Sequence, residues 1–359
     1  MKLLRAVLYH LWRACEVVAW WGLGLWTVLA VFYTAPGPGW LAVVAAAGIA
    51  LVYFLARREK FRSIHWRTIP WREKCFTTLA IALTAVSAVY YFGFIRPDND
   101  QMWALEQDRK PVVTISGDKV HVQNVRNFTW RSDTDFDVGW YERTYDLNKV
   151  DSMYYVVASM ANWEAVAHVF VCFGFSDGQN VAISVEGHRL KGRAYGPISS
   201  MFRQFQLIYI IGDERDVVGL RGAVWKDPVY FYPARTTQER KRAIFVDMME
   251  RAHSLEEKPE FYHLLFNNCM NNITYHLRRL GGRPLPHDLR VLLTGMSDRV
   301  AHRLGYLDTD LPFEKARQAF RVDEWMQQTE LDESFSLRLR ETIQRQEAAA
   351  KAEAGMPAR

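Results

Sequence analysis

The chain has 359 residues, enough for one large domain or two ordinary ones, and 49% of them are apolar, so a sizeable core is within reach. The formal net charge is +5, unevenly spread along the chain. The four cysteines contain no C-x-x-C pair, the ten histidines form no H-E-x-x-H, and no glycine-rich phosphate loop occurs, which argues against a zinc knuckle, a thioredoxin-like motif, a zincin or a P-loop. No metal site and no cofactor is implied.

Three long apolar stretches come first: Ala14 to Tyr33, Trp40 to Ala56 after the breaker "TAPGPG", and Cys75 to Ile95. Each approaches the roughly 20 residues that cross a hydrocarbon core, with Trp and Tyr clustered at several ends as interface anchors. The first is too long for a cleaved signal peptide, and two more follow. Glu16 pairs with Arg13, three residues back, better than it serves a proton relay. Arg57, Arg58, Lys60, Arg62, Arg67, Arg72 and Lys74 lie between the second and third stretches, and the first connection is uncharged. The positive-inside rule then places the N-terminus and this basic loop in the cytoplasm. Three crossings leave everything after Arg96 outside, which in a bacterial inner-membrane protein is the periplasm or cell exterior. The basic run reads as a topology signal, and no nucleic-acid partner is expected.

The expected organisation is a three-span region over 1–96, an extracytoplasmic domain over 97–320, and a charged helical or disordered tail over 321–359. Strand-like runs occupy the first half of the domain: "VVTISG", "KVHVQNV", "SMYYVVASM", "AVAHVFVCFGF", "NVAISVEG" and "FQLIYIIG". A helix capped by Thr237 follows, then a second that ends at Gly281-Gly282, and an irregular helical region from Pro284 to about Leu311. The fold class is α+β, an antiparallel sheet flanked by helices.

"AHVFVCFGFSDGQNVAISVEG" reads as a hairpin. Ser176-Asp177-Gly178 suits a three-residue loop with Gly178 left-handed. Phe175 then faces Gln179, and His168 faces Glu186 on one sheet face, where a carboxylate would fix the imidazole tautomer and raise its basicity. A two-residue loop would put them on opposite faces. Such a pair is more often a surface pair than a catalytic one, but His168, Phe170, Cys172, Ser184 and Glu186 make a mixed face suited to a cleft wall. Cys172 lies about 13 Å along the strand from His168. It reads first as a small buried side chain, and a disulfide to Cys269 is a further reading in an oxidising compartment.

"FYHLLFNNCMNNITYHL" (Phe261–Leu277) has no acidic residue. Asn268 is a good N-cap and places Cys269 in the first helical turn, where partial positive charge lowers a thiol pKa and free N–H groups can receive an oxyanion. A neighbouring imidazole would lower it further. His276 lies about two turns down the helix, too far for a direct bond, and His263 stays open as a partner. "NIT" and "NFT" match glycosylation triplets, a pattern common by chance.

"YERTYDL", "AHVFVCFGFSDG", "AISVEG", "FRQFQLIYIIGDERDV" and "FYHLLFNNCMNNI" together resemble the extracytoplasmic domain of the Lnb-type lipoprotein intramolecular transacylases, over roughly Val112 to Leu280. That domain is similar to permuted papain-like cysteine enzymes, in which the histidine strand precedes the cysteine helix. The resemblance implies Cys269 as nucleophile, His168 as base and Glu186 as orienting third residue. It also implies a lipid ester as acyl donor and membrane lipid and diacylated lipoproteins as partners; no oligomeric state follows. The chain departs from the family pattern at Gly187-His188-Arg189-Leu190. There His188 points the same way as Glu186 and would replace or assist it. Asn268 and Tyr262 are candidate supporting residues, and so is Arg203, which with Arg143 would otherwise be structural or meet a lipid phosphate. Asp213-Glu214-Arg215 reads as a structural ion-pair corner. The competing functions are a thiol amidase or peptidase of cell-wall peptides and a non-catalytic envelope scaffold.

Overall fold

The computed structural model describes residues 2–57, 70–160, 164–281 and 293–356. Arg58, Lys60, Arg62 and Arg67 of the basic loop, Gly282, and positions 284–292 of the irregular region lie outside these. Two compact units result. The first is Met1–Asp98 with the excursion Tyr195–Gln204, the second Asn99–Ala194 with Phe205–Arg359.

The described residues of the first unit include three long helices: α1 (Lys2–Thr34), α2 (Gly39–Arg57) and α3 (Trp71–Gly93). All three contain segments long and apolar enough to cross a membrane, Leu4–Thr34, Gly39–Ala56 and Trp71–Gly93. The first helix thus begins earlier than the apolar pattern alone indicates. Helices α1 and α2 approach closely because Gly24 has no side chain: a Cβ there would lie 2.7 Å from the Tyr53 ring. The Tyr53 hydroxyl reaches Thr84, which also meets Thr27 at 3.1 Å, so hydroxyls inside the bundle satisfy one another. Arg13 and Glu16 pair at 3.0 Å.

Arg203 belongs to this unit. Its guanidinium donates to the carbonyls of Tyr91 (2.6 Å) and Ile95 (2.8 Å) and lies over the Tyr91 ring. The last carbonyls of a helix lack intrahelical donors, and a cation there also complements the helix dipole. The residue read as a candidate site support is therefore a cap on α3.

The second unit contains an eight-stranded sheet. Its strands are β1 (Val112–Ser116), β2 (Lys119–Arg126), β5 (Trp140–Asp146), β6 (Val150–Ser159), β7 (Ala167–Phe175), β8 (Asn180–His188), β9 (Gln206–Gly212) and β10 (Val229–Pro233). A small separate ribbon pairs β3 (Thr129–Trp130) with β4 (Phe136–Asp137). The order is β1-β2-β9-β8-β7-β6-β10, with β5 also on β2. Pairing is antiparallel except where β2 meets β9 in parallel at Arg126 and Gly212, beyond a bulge around the left-handed Asn124. Strands β6 to β9 are buried on both faces, so they read as apolar runs and not as a clean alternation.

Helices α5 (Gln238–Glu257) and α6 (Cys269–Arg279) cover one face, where Phe245 of α5 meets Tyr145, Phe173 and Phe175 edge-on. The other face carries α4 (Glu214–Gly219). Among the described residues, four α-helices follow α6: α7 (Ser297–Arg303), α8 (Phe313–Ala319), α9 (Asp323–Met326) and α10 (Phe335–Glu353). In the charged tail, α10 is helical and packed: it buries Phe335, Leu339 and Ile343, and Arg340 makes a two-pronged ion pair with the fully buried Glu214 (2.7 and 2.9 Å).

Candidate active site

The β7–β8 turn forms as the tripeptide Ser176-Asp177-Gly178 dictates. Phe175 N–H donates to the Gln179 carbonyl at 2.9 Å, and Gly178 has φ +85°. Its register pairs Gly174 with Asn180 and Val171 with Ile183. There the ladder stops. Toward its start β7 stays with β6, and toward its end β8 stays with β9. The expected facing pair His168 and Glu186 therefore lies where the two strands part, and a third side chain spans the gap.

That side chain is Ser184, fully buried. Its hydroxyl donates to Glu186 Oε1 (2.9 Å) and lies 2.6 Å from His168 Nε2; the direct His168–Glu186 separation is 3.8 Å. A serine has one proton and an ionised carboxylate only accepts. With the Ser184 proton on Glu186, the serine oxygen must accept, so His168 Nε2 carries a hydrogen and Nδ1 keeps its lone pair. The order Glu186–Ser184–His168 thus makes Nδ1 the acceptor nitrogen of the imidazole.

Glu186 is held from two further sides. Gln107 Nε2 donates to its Oε2 at 3.0 Å, and Arg221 Nη2 lies 3.3 Å from Oε1. Burial, the largest influence, pushes Glu186 up, but Arg221, His168, Arg126 and the Ser184 hydroxyl together hold it down at about 2. It is ionised at neutral pH. His168 is driven down to about 3, first by burial and then by the Arg221 charge, against Glu186. It is neutral. Arg126 is buried on Asp216 through two 2.9 Å bonds, and Asp216 also accepts from Trp130 Nε1 and Phe128 N–H.

Helix α6 begins at Cys269 and packs on both β7 and β8. Asn268 caps it: its side chain accepts from Asn271 N–H, and the Asn271 side chain accepts from Asn268 N–H. The Cys269 thiol is buried, with the main-chain N–H of Val169, the residue after His168, directed at the sulfur. The expectation of a lowered thiol pKa is corrected here. Burial pushes it up and outweighs the pull of the Val169 and Met270 N–H groups, Arg221 and the cysteine's own N–H. Burial thus favours the neutral thiol of Cys269 and the neutral imidazole of His168.

His188 is fully buried, stacked on Trp103 with ring centroids 3.5 Å apart, and its Nε2 donates to the Gln107 carbonyl at 2.7 Å. It reaches Glu186 only through Gln107. Tyr262 is buried, and its main-chain N–H donates to the Phe205 carbonyl, tying down the approach to the cysteine turn. His263 accepts from Leu265 N–H and stacks on Phe266. Cys172 is buried beside Glu214 and Arg340, and Cys172 and Cys269 are both free thiols, so the disulfide reading is set aside. Arg143 lies over the Tyr141 ring. Asp213 caps α4, and Arg215 donates to Asn127.

Residues 136–295 match the family model of the Lnb N-terminal periplasmic domain. Over that stretch, somewhat under half of its length, the chain is similar to this periplasmic domain. No curated protein and no solved structure matches it. The match holds His168, Ser184, Glu186, Arg221 and Cys269, whereas Gln107, which clamps Glu186, lies before it. The chain thus joins three helices able to cross a membrane to a stretch similar to a periplasmic domain of Lnb.

Proposed function

We propose that this protein is a membrane-anchored cysteine acyltransferase acting on lipid esters at the outer face of a bacterial inner membrane, with its N-terminus cytoplasmic. Its reaction is the intramolecular transacylation of diacylated lipoproteins. The observation that carries this reading is the polarised Glu186–Ser184–His168 chain, one strand position from the N–H that faces the Cys269 sulfur. His168 Nδ1 takes the thiol proton as the sulfur attacks an ester carbonyl, and first-turn N–H groups receive the oxyanion. The glyceryl oxygen leaves with that proton, and the acyl group stays on Cys269 as a thioester. The lipoprotein's N-terminal amine then attacks, gives a proton to His168, and the sulfur departs and is reprotonated.

An apolar cavity of about 100 Å³ supports a hydrocarbon substrate over a peptide. It is lined by Met270, next to the nucleophile, with Ile273 and Leu277 of α6, Val171 of β7, Tyr155 and Leu307. Tyr155 is close enough to the sulfur that a thiolate would raise its pKa further, beyond what burial does. A thiol amidase would use the same dyad but has no need of this cavity. Mass spectrometry of lipoprotein N-termini from cells with and without the protein tests the reading: the acyl chain should move from glycerol to the amine, and unchanged acyl positions would refute it.

A further inference from the structure

Below the cysteine turn, a second chain of buried polar groups runs from α5 through β9 to the asparagines around Cys269. The polarity of each link can be read in turn. Glu260 pairs with Arg251 at 2.7 Å and accepts from Asn267 Nδ2 at 3.1 Å, as does the Phe261 carbonyl at 3.0 Å. Both partners only accept, so Asn267 Oδ1 must face Asn272, whose Nδ2 donates to it (3.0 Å) and to the Asn268 carbonyl (2.9 Å). Asn272 Oδ1 is then left to accept, and the Tyr209 hydroxyl donates to it at 3.1 Å. Having spent its one proton, Tyr209 oxygen accepts from His276 Nε2 at 2.8 Å. His276 Nε2 therefore carries a hydrogen, while its Nδ1 lies 2.6 Å from Asp247 Oδ2. A bare carboxylate facing a bare nitrogen lone pair is repulsive, so a proton sits in that contact too.

We propose that Asp247, His276 and Tyr209 are positioning residues for Cys269, holding a proton whose presence orients the asparagine cap through Asn272. Burial disfavours charge on His276, and the facing Asp247 carboxylate favours it. Either placement of the shared proton keeps Nε2–H directed at Tyr209. Without the proton, the hydrogen on His276 moves to the Nδ1 side to satisfy Asp247, Tyr209 turns its own proton to Nε2, and Asn272 Oδ1 loses its donor. Asn272 donates to the carbonyl of the cap residue itself, so slack there passes to the N–H groups of Cys269 and Met270 that favour the thiolate.

The inference rests on Cys269 being the reacting thiol but on no acyl donor, so its test is independent of acyl transfer. The test uses the full chain in detergent micelles, alkylated with neutral iodoacetamide across pH 6 to 10, with Cys269 labelling followed by mass spectrometry. Asp247→Leu removes the partner that shares the proton and pins the hydrogen to Nε2, and Tyr209→Phe cuts the link while keeping the ring. Each should slow labelling at neutral pH about fivefold, the worth of one buried hydrogen bond. The Asp247→Leu/Tyr209→Phe double variant should label like either single one, because the two substitutions break one chain. Multiplied effects in the double variant, or labelling profiles that match wild type, would overturn the proposal and leave the pair a structural one. Circular dichroism of both single variants separates misfolding from slackened positioning.

Discussion

Replacing Ser184 with alanine removes one oxygen and leaves His168 Nε2 and Glu186 Oε1 facing each other across 3.8 Å, beyond hydrogen-bond range. The serine hydroxyl is 2.6 Å from one and 2.9 Å from the other, and it is fully buried, so the side chain meets no bulk solvent that would replace it. A hydrogen bond to a charged group is worth about 1.5–3 kcal/mol. Spent on holding the Nε2–H tautomer, that corresponds to a loss of about 10- to 150-fold in the second-order rate of Cys269 acylation. Ser184→Thr keeps the hydroxyl and should recover most of it. The assay is acylation of Cys269 by a short-chain activated ester, followed by intact-protein mass spectrometry. If Ser184→Ala acylates within twofold of wild type, the serine does not transmit the Glu186 charge to the base, and the mechanism loses its third residue.

Acid should destabilise the domain through His168. The unfolded histidine titrates near 6.5 and the folded one at about 3. Between these values the unfolded chain binds the extra proton, so stability falls as pH drops through that window, by up to about 1.4 kcal/mol per pH unit. Glu186, depressed from 4.5 to about 2, adds to the loss below about pH 4.5. Thermal unfolding of His168→Gln should show a shallower pH dependence between 6.5 and 4.5, and an unchanged slope would contradict the burial argument. Arg340→Met leaves the Glu214 carboxylate buried without its partner, and it should cost about 3–5 kcal/mol, read as a lower Tm. Equal Tm values would mean that the tail helix does not stabilise the domain. Ile273→Phe narrows the apolar cavity and should shift Cys269 acylation toward shorter chains, whereas an unaltered chain-length profile would place the acyl group elsewhere.

What could be read from the sequence was local. Ser176-Asp177-Gly178 specifies its own turn, and the turn specifies which residues face across β7 and β8. Asn268 specifies the start of α6 because a short side-chain acceptor at that position satisfies an N–H three residues on. The parting of β7 and β8 was not legible, since it depends on each strand following a different neighbour. Gln107 and Arg221 were missed for the same reason. They come from 79 and 35 residues away from Glu186 and carry no motif of their own. Ser184 was seen on the right face but not as a bridge. The helix dipole argument for Cys269 was sound in sign but took no account of burial, which outweighs it. Strands β5 and β10 escaped because "WYERTYD" and "VYFYP" mix charge, aromatics and proline, and sheet neighbours complete them.

The proposed function requires that Cys269 carry an acyl chain on its sulfur. It is tested most directly by isolating the protein from its own membranes, with the lipoprotein acceptor depleted, and mapping adducts by mass spectrometry. A long-chain acyl group on Cys269 that hydroxylamine removes, and that is missing in His168→Ala, is the predicted result. A Cys269 that stays unmodified, or an adduct found on Cys172 instead, would contradict it.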